Sequence, residues 1–137
     1  MKKKLFAFVS VLMLAVMLMG CGGPKTLESY YNQPIRKAAI EAECKEMLEQ
    51  QKGTYSEVSM TFEGNTATYS YTYCEDPGMA NKAAYDAFMK SSLDSSSHSI
   101  IEGIRQESGV SADTVITVVF VFNNPDGSEY SSFTYSE

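Results

Sequence analysis

The chain has 137 residues, 11 of them Lys or Arg and 17 Asp or Glu, for a net charge of −6. A length near the usual domain size of about 100–200 residues leaves room for one core and no second one. No basic stripe is present to neutralise phosphates, which argues against a nucleic-acid binder or a domain adsorbed on an anionic membrane.

Lys2, Lys3 and Lys4 form a positive head, and residues 5–19 form an apolar run of 15 broken only by Ser10. The run is shorter than the roughly 20 residues that cross a bilayer and ends in Gly20-Cys21 without a charged flank, so it reads as an export signal. Leu18-Met19-Gly20-Cys21 resembles the lipobox of bacterial lipoproteins, with Met19 bulkier than the residue usual at its place. The resemblance implies a diacylglyceryl, palmitate-type anchor on Cys21 after cleavage before it, and a domain held at the extracytoplasmic face of the cell membrane. Two acyl chains suffice for that, whereas one holds only marginally at about 0.8 kcal/mol per buried methylene. The alternatives are a cleaved secretory signal with an incidental cysteine, or an uncleaved anchor. Residues 1–20 are then the signal peptide, 21–25 the lipidated cysteine and its tether, and 26–137 a single α+β domain. Cleavage leaves 117 residues with 8 basic and 17 acidic side chains, a balance of −9.

Thr26 is placed to cap a short turn over residues 27–31, and Asn32 or Gln33 before Pro34 opens a helix with proline in its first turn. Ile40, Cys44, Met47 and Gln51 share one stripe of that helix, which the spacing predicts over residues 34–52 with Gly53 at its end. The period then changes to two. Val58, Met60 and Phe62, then Ala67, Tyr69, Tyr71 and Tyr73, alternate with Ser, Thr and Glu around Gly64-Asn65, which predicts a β-hairpin over residues 55–73 with an apolar-aromatic face and a Ser/Thr face.

Asp76-Pro77 reads as the start of a second helix with Ala80, Ala84 and Phe88 on one stripe and Tyr85, Met89 and Leu93 adjacent. Ile100, Ile101 and Ile104 resume its apolar face beyond a serine-rich stretch, so one helix running to about residue 107 and stopped by Gly109 is favoured over two. Residues 115–122 form a nearly continuous apolar strand, residues 123–127 a turn, and residues 130–135 the last strand. The resulting expectation is a two-layer α-β-β-α-β-β domain. Its four-stranded antiparallel sheet, in the order 2-1-3-4, would have two helices on one face.

The lipobox, the segment Thr26-Leu27-Glu28-Ser29-Tyr30-Tyr31-Asn32-Gln33-Pro34, the Phe62-Glu63-Gly64-Asn65-Thr66 hairpin, the long helix and the Asn124-Pro125-Asp126-Gly127-Ser128 turn together resemble a family of small uncharacterised lipoproteins from Gram-positive bacteria. The resemblance implies a domain of unknown function displayed outside the membrane and carries no catalytic residues with it.

Cys44 and Cys74 remain after Cys21 is lipidated; outside the cytoplasm they either pair in a disulfide or stay as thiols. His98 is the single histidine. Its neighbours Ser95, Ser96, Ser97 and Ser99 read as a solvated helix face, for no nucleophile elbow is present. Tyr69, Tyr71, Tyr73, Tyr130 and Tyr135 are either core residues or an aromatic recognition surface. Glu41, Glu43, Glu46 and Glu49 read as a solvated face, and residues 124–129 as a turn, because Phe122 stands where a calcium loop needs its first acid. No cofactor or metal is expected. The function expected is a lipid-anchored, non-catalytic binding module contacting a protein, peptide or envelope component. An envelope hydrolase using His98 or a carboxylate pair, and an accessory subunit of a transporter or sensor, are the alternatives.

Overall fold

A computed structural model describes residues 26–77 and 81–137. The export signal, the lipobox with Cys21, the tether and Ala80 lie outside the described residues.

The first helix, α1 (Leu27–Tyr31), is short and closed by a reciprocal cap in which the Thr26 hydroxyl accepts from the Ser29 N–H at 3.1 Å and the Ser29 hydroxyl accepts from the Thr26 N–H at 3.3 Å. That cap satisfies donors that a one-turn helix would otherwise leave open. The helix is then pinned to a distant turn. Leu27 N–H donates to Asn65 Oδ1 at 3.1 Å, and Gly64 N–H donates to Glu28 Oε2 at 2.7 Å. The ring of Tyr31 stacks on Phe62 with centroids 4.0 Å apart.

Helix α2 (Pro34–Gln50) starts after Gln33, whose side chain makes no cap bond, with proline in its first turn as expected. It ends at Gln51 and not at Gly53, which follows in a turn with φ of 93°. Its expected stripe faces strand β1 (Tyr55–Glu63): Met47 is buried and Ile40, Cys44 and Leu48 half-buried, while Ala39 and Ala42 are exposed. The hairpin pairs β1 with β2 (Thr66–Tyr73), setting Met60 opposite Tyr69 and Val58 opposite Tyr71. Gly64 supplies the positive φ, 57°, that the two-residue turn requires.

Helix α3 (Lys82–Ser108) begins later than Asp76-Pro77 suggests, because Asn81 is the cap and its Oδ1 accepts from Ala84 N–H at 3.1 Å. Its buried stripe is Tyr85, Met89, Leu93, Ser97, Ile100, Ile101 and Ile104, whereas Ala84 and Phe88 lie on the exposed side. The serines do not interrupt it. Ser95 and Ser96 turn their hydroxyls back onto the Ser92 carbonyl at 2.8 and 3.1 Å, so the helix runs unbroken to Gly109, whose φ of 71° ends it.

Strands β3 (Thr117–Asn123) and β4 (Glu129–Ser136) complete a sheet in the order β1-β2-β3-β4. The expected antiparallel order 2-1-3-4 is therefore corrected: β2 and β3 are parallel neighbours, the two outer pairs are antiparallel, and the sheet is mixed. Helix α3 does return the chain so that β3 runs in the direction of β2, but β3 settles beside β2. There Tyr69 stacks on Phe120 and Tyr71 on Phe122, each pair 5.2 Å apart, and Ala67 lies opposite Val118. Strand β1, whose core side carries Tyr55, Val58, Met60 and Phe62 but whose other side carries Glu57 and Glu63, is left at the edge, where charge is tolerated. The element order is α-α-β-β-α-β-β because the opening turn closes as a helix of its own. The result is an α+β domain with its aromatic core between the sheet and the helices.

Candidate functional site

Two regions of this fold stand out as candidates for a functional site. The first is the sheet face that no helix covers. Alternation along each strand and the cross-strand register set out rows that cross all four strands: Thr61, Thr68, Val119 and Thr134 in one, and Ser59, Ser70, Val121 and Ser132 in the next. Glu63, Thr66, Thr117 and Ser136 make a third. The hydroxyls of Thr117 and Ser136 are bonded at 2.9 Å, and the Asn123 amide donates to Ser70 Oγ at 3.0 Å, so the lattice is partly held in place. Val119 and Val121 are its apolar centre, Glu57, Glu63 and Glu129 stand at its margins, and its rows contain no Lys or Arg.

The second region lies on the covered side. Helix α2 packs on β1 and α3 on β3 and β4, with α1 wedged between them at the hairpin end, so the two long helices make no extended contact with each other. Across this notch stand Glu43 of α2 and Glu107 of α3. The Tyr31 hydroxyl donates to Glu107 Oε2 at 3.0 Å. Burial raises the Glu107 carboxyl, while that hydrogen bond and the charge of Arg36 restrain the rise. Burial also raises Glu43, and the charge of Glu107 adds to it. Between them Tyr69 projects from the sheet, 4% exposed, its hydroxyl without a hydrogen bond among the described residues. Burial raises this phenol strongly, with Tyr71, Glu107 and Glu43 contributing. The Cys44 thiol, close by, is raised by burial and by Glu43 and Glu41 against a hydrogen bond with the Met60 backbone.

The residues singled out in the sequence are mostly not assembled into a site. Tyr69 and Tyr71 are buried beneath the helices, and Tyr73, Tyr130 and Tyr135 flank them on the same side, so the ladder belongs to the core and not to an exposed aromatic surface. Tyr73 and Tyr85 share a hydrogen bond at 2.6 Å, and Tyr135 donates to Asp94 at 2.7 Å. Cys44 and Cys74 are separate thiols: Cys44 sits against Met60, the partner of Tyr69, while Cys74 is exposed past the end of β2. Five residues of strand separate those levels, about 16 Å at 3.3 Å per residue, too far for a bridge.

His98 is 71% exposed and pairs with Glu137 at 2.8 Å, whereas the neighbouring serine hydroxyls serve the helix backbone, so no nucleophile and base are brought together there. Residues 124–129 form the expected turn, closed by Asn124 N–H to the Ser128 carbonyl at 2.8 Å. Among the described residues no three acidic, His or Cys side chains gather as metal ligands, and no helix is long and apolar enough to cross a membrane.

Glu41, Glu46 and Glu49 are exposed as expected, but Glu43, expected on the same solvated face, is half-buried instead because it turns towards β1 and α3; Glu107, which the sequence reading passed over, is likewise half-buried. Glu43 adjoins Cys44 on the apolar stripe, and Glu107 lies three and seven residues from Ile104 and Ile100, on the buried side of α3. The polar seam between α3 and β4 was also passed over. There Asp86 accepts from Ser131 and pairs with Lys82 at 2.6 Å, and the Lys82 amine donates to Ser131 at 3.2 Å. It joins residues 45 apart in the chain and has no local signature.

No curated protein and no solved structure matches the chain. The sequence profile of a domain of unknown function, DUF4854, matches residues 27–135, from the start of α1 to within one residue of the end of β4, and the chain belongs to that family.

Proposed function

We propose that this protein is a non-catalytic binding domain of a Gram-positive cell envelope, tethered by lipid on Cys21 at the extracytoplasmic face and docking a partner protein on the uncovered face of its sheet. The observation that carries the reading is the make-up of that face, with Val119 and Val121 ringed by Ser and Thr and, further out, by Glu57, Glu63 and Glu129. An apolar centre inside a polar rim is the anatomy of a protein interface. Short side chains lose little rotamer freedom when covered, and the acidic rim selects a partner surface with basic residues around it. Four strands about 4.8 Å apart and seven residues long span on the order of 400 Å². A standard interface takes about 800 Å² from each partner, so the complex is a transient one. A protein of the same membrane face, such as a transporter or sensor, is within reach of such a tether.

The tether rests on Lys2 to Lys4, the apolar run and the lipobox, and Cys21→Ala tests it. The variant should leave the membrane fraction and lose lipid labelling; its retention would overturn the tether. For docking, a photocrosslinking residue at Thr68 in whole cells should yield an adduct that one at Ala42 does not. Val121→Lys should abolish the adduct, and added salt should weaken it. Adducts of equal yield from both positions, or one indifferent to Val121→Lys, would overturn the docking reading.

A further inference from the structure

Hydrogen bonds fix the end of the domain at which Thr26 stands. Leu27 N–H donates to Asn65 Oδ1 at 3.1 Å and Glu28 N–H to the Gly64 carbonyl at 2.9 Å, while the Asn65 carbonyl accepts from Thr117 N–H at 3.0 Å. Thr26 therefore sits at the turn between β1 and β2, beside the start of β3. The same end holds the two most exposed large apolar side chains among the described residues. Ile35, 66% exposed, is in the first turn of α2, three residues after Asn32, whose amide reaches the Phe62 carbonyl at 3.4 Å. Val115, 62% exposed, comes two residues before Thr117. Its backbone is held in place, because the adjoining Ile116 is wholly buried and donates its N–H to the Glu137 carbonyl at 2.8 Å.

We propose that this end of the domain rests on the surface of the bilayer, with Ile35 and Val115 dipping among the lipid headgroups. The inference rests on the tether at Cys21. Five residue steps separate Cys21 from Thr26, and a chain extends at most about 3.6 Å per residue, so Thr26 stays within about 18 Å of the lipidated cysteine. Strand β2 leads away from that end for eight residues, about 26 Å at 3.3 Å each, so the end bearing Cys74 cannot be the one that meets the lipid. Two apolar side chains would hold a free domain poorly. A short tether turns the contact into an intramolecular event at high effective concentration, which makes so small a surface sufficient. Exposed Glu28 and Asp113 stand at the same end, so apolar insertion and not anionic lipid drives the contact, in keeping with the acidic balance of the domain. Ile35 belongs to the helical layer and Val115 to the sheet layer, so seating both stands the strands upright. The uncovered sheet face then looks sideways along the membrane, towards whatever protein stands beside it.

The test uses the full-length lipidated protein in phosphatidylcholine vesicles that carry a nitroxide on their headgroups, with a fluorophore on a single thiol. Ala112→Cys, in a background of Cys44→Ala and Cys74→Ser, puts the fluorophore in the exposed loop before Val115. Cys44→Ala alone leaves it on the native Cys74, exposed past the end of β2. The Ala112→Cys fluorophore should be quenched several-fold more strongly than the one on Cys74, and adding phosphatidylglycerol should not increase the quenching. Ile35→Ser with Val115→Ser should reduce it several-fold without releasing the protein from the vesicles. Both serines replace exposed side chains, so folding, checked by circular dichroism, is retained. Membrane flotation of the protein with and without Cys21→Ala reports the tether separately: a Cys21→Ala protein that still floats overturns the tether, and this inference with it. A floating protein whose two fluorophores are quenched alike, or whose quenching ignores the serine pair, overturns the orientation and leaves the tether standing. An Ala112→Cys fluorophore unquenched in pure lipid, and shielded from an aqueous quencher in native membranes alone, overturns it in favour of a partner protein at this end.

Discussion

The phenol of Tyr31 donates to the carboxylate of Glu107 across 3.0 Å, joining the one-turn helix at the start of the domain to the last turn of its longest helix, 76 residues away. Stacked on Phe62, the same ring also seals the top of the sheet. Tyr31→Phe keeps the stacking and removes the donor, leaving a half-buried carboxylate with one hydrogen bond fewer. Urea denaturation should show a loss of about 1.5–2 kcal/mol, the lower part of the range for a bond to a charged group. An unchanged midpoint would mean that the bond contributes nothing.

Glu43 and Glu107 give stability a definite pH dependence. Both carboxyls are raised in the folded state, chiefly by burial, so between the ordinary glutamate value of about 4.3 and the raised native value the folded chain binds more protons than the unfolded one. Their contribution therefore weakens the fold as pH rises through that window, and the penalty is absent below it. Asp86, Asp94 and Asp126 act oppositely: chiefly, hydrogen bonds from Lys82, Lys90 and Ser128 respectively lower their carboxyls, and that stabilisation is lost on acidification. Glu43→Gln and Glu107→Gln should be more stable than the parent at pH 7 by urea denaturation, and the advantage should shrink towards pH 4. An advantage independent of pH would contradict this account.

The parallel pairing of β2 and β3 can be read chemically. Ser70 and Val121 are cross-strand partners on the uncovered face, whereas Ser59 and Val121 are separated by β2, about 9.6 Å for two strand spacings. In a background of Cys44→Ala and Cys74→Ser, Ser70→Cys with Val121→Cys should oxidise to a disulfide and Ser59→Cys with Val121→Cys should not. Mass analysis of oxidised protein distinguishes them, and the reverse result would restore β1 as the neighbour of β3.

Arg105, in the last turn of α3, closes one end of the domain. Its guanidinium donates to the carbonyls of Ser111 at 2.9 Å, Thr114 at 2.7 Å and Glu137 at 3.0 Å, tying the loop after α3 to the close of β4. Arg105→Ala should cost about 2 kcal/mol in urea denaturation, and Arg105→Lys somewhat less, since one ammonium cannot span three carbonyls set for a fork. Hydrogen exchange at Ile116, whose N–H bonds the Glu137 carbonyl at 2.8 Å, should quicken in both.

The serine run of α3 is a weak stretch in an otherwise well-packed helix. Ser95 and Ser99 are exposed, so replacing both by Ala removes backbone competition without touching the core. A gain of about 0.5 kcal/mol per site is expected from helix propensity, seen as a higher thermal midpoint.

Local features of the fold were readable because local chemistry decides them. Thr26, Gly64 and Gly109 each act within a few residues of themselves, and the serine stretch was correctly bridged because Ile100, Ile101 and Ile104 stay in phase with Met89 and Leu93. Sheet order was not readable in that way. It depends on whether the aromatic side of β2 or the side chains of β1 lie against Phe120 and Phe122, a choice made over some 50 residues of separation. The absence of charge on β2, against Glu57 and Glu63 on β1, was the available clue. Glu43 and Glu107 were hidden for a related reason: a glutamate on a helix looks solvated until the opposing helix is in place.

Both outer strands of the sheet carry acids, Glu57 and Glu63 on β1 and Glu129 on β4. An open strand edge is a template on which a second chain can add itself, and the hazard grows when many copies share a surface. Here such an approach, β1 of one molecule to β4 of the next, sets like charges against each other before any ladder can form. Crowded copies would hold one another apart, so each keeps its own sheet free to meet something other than itself.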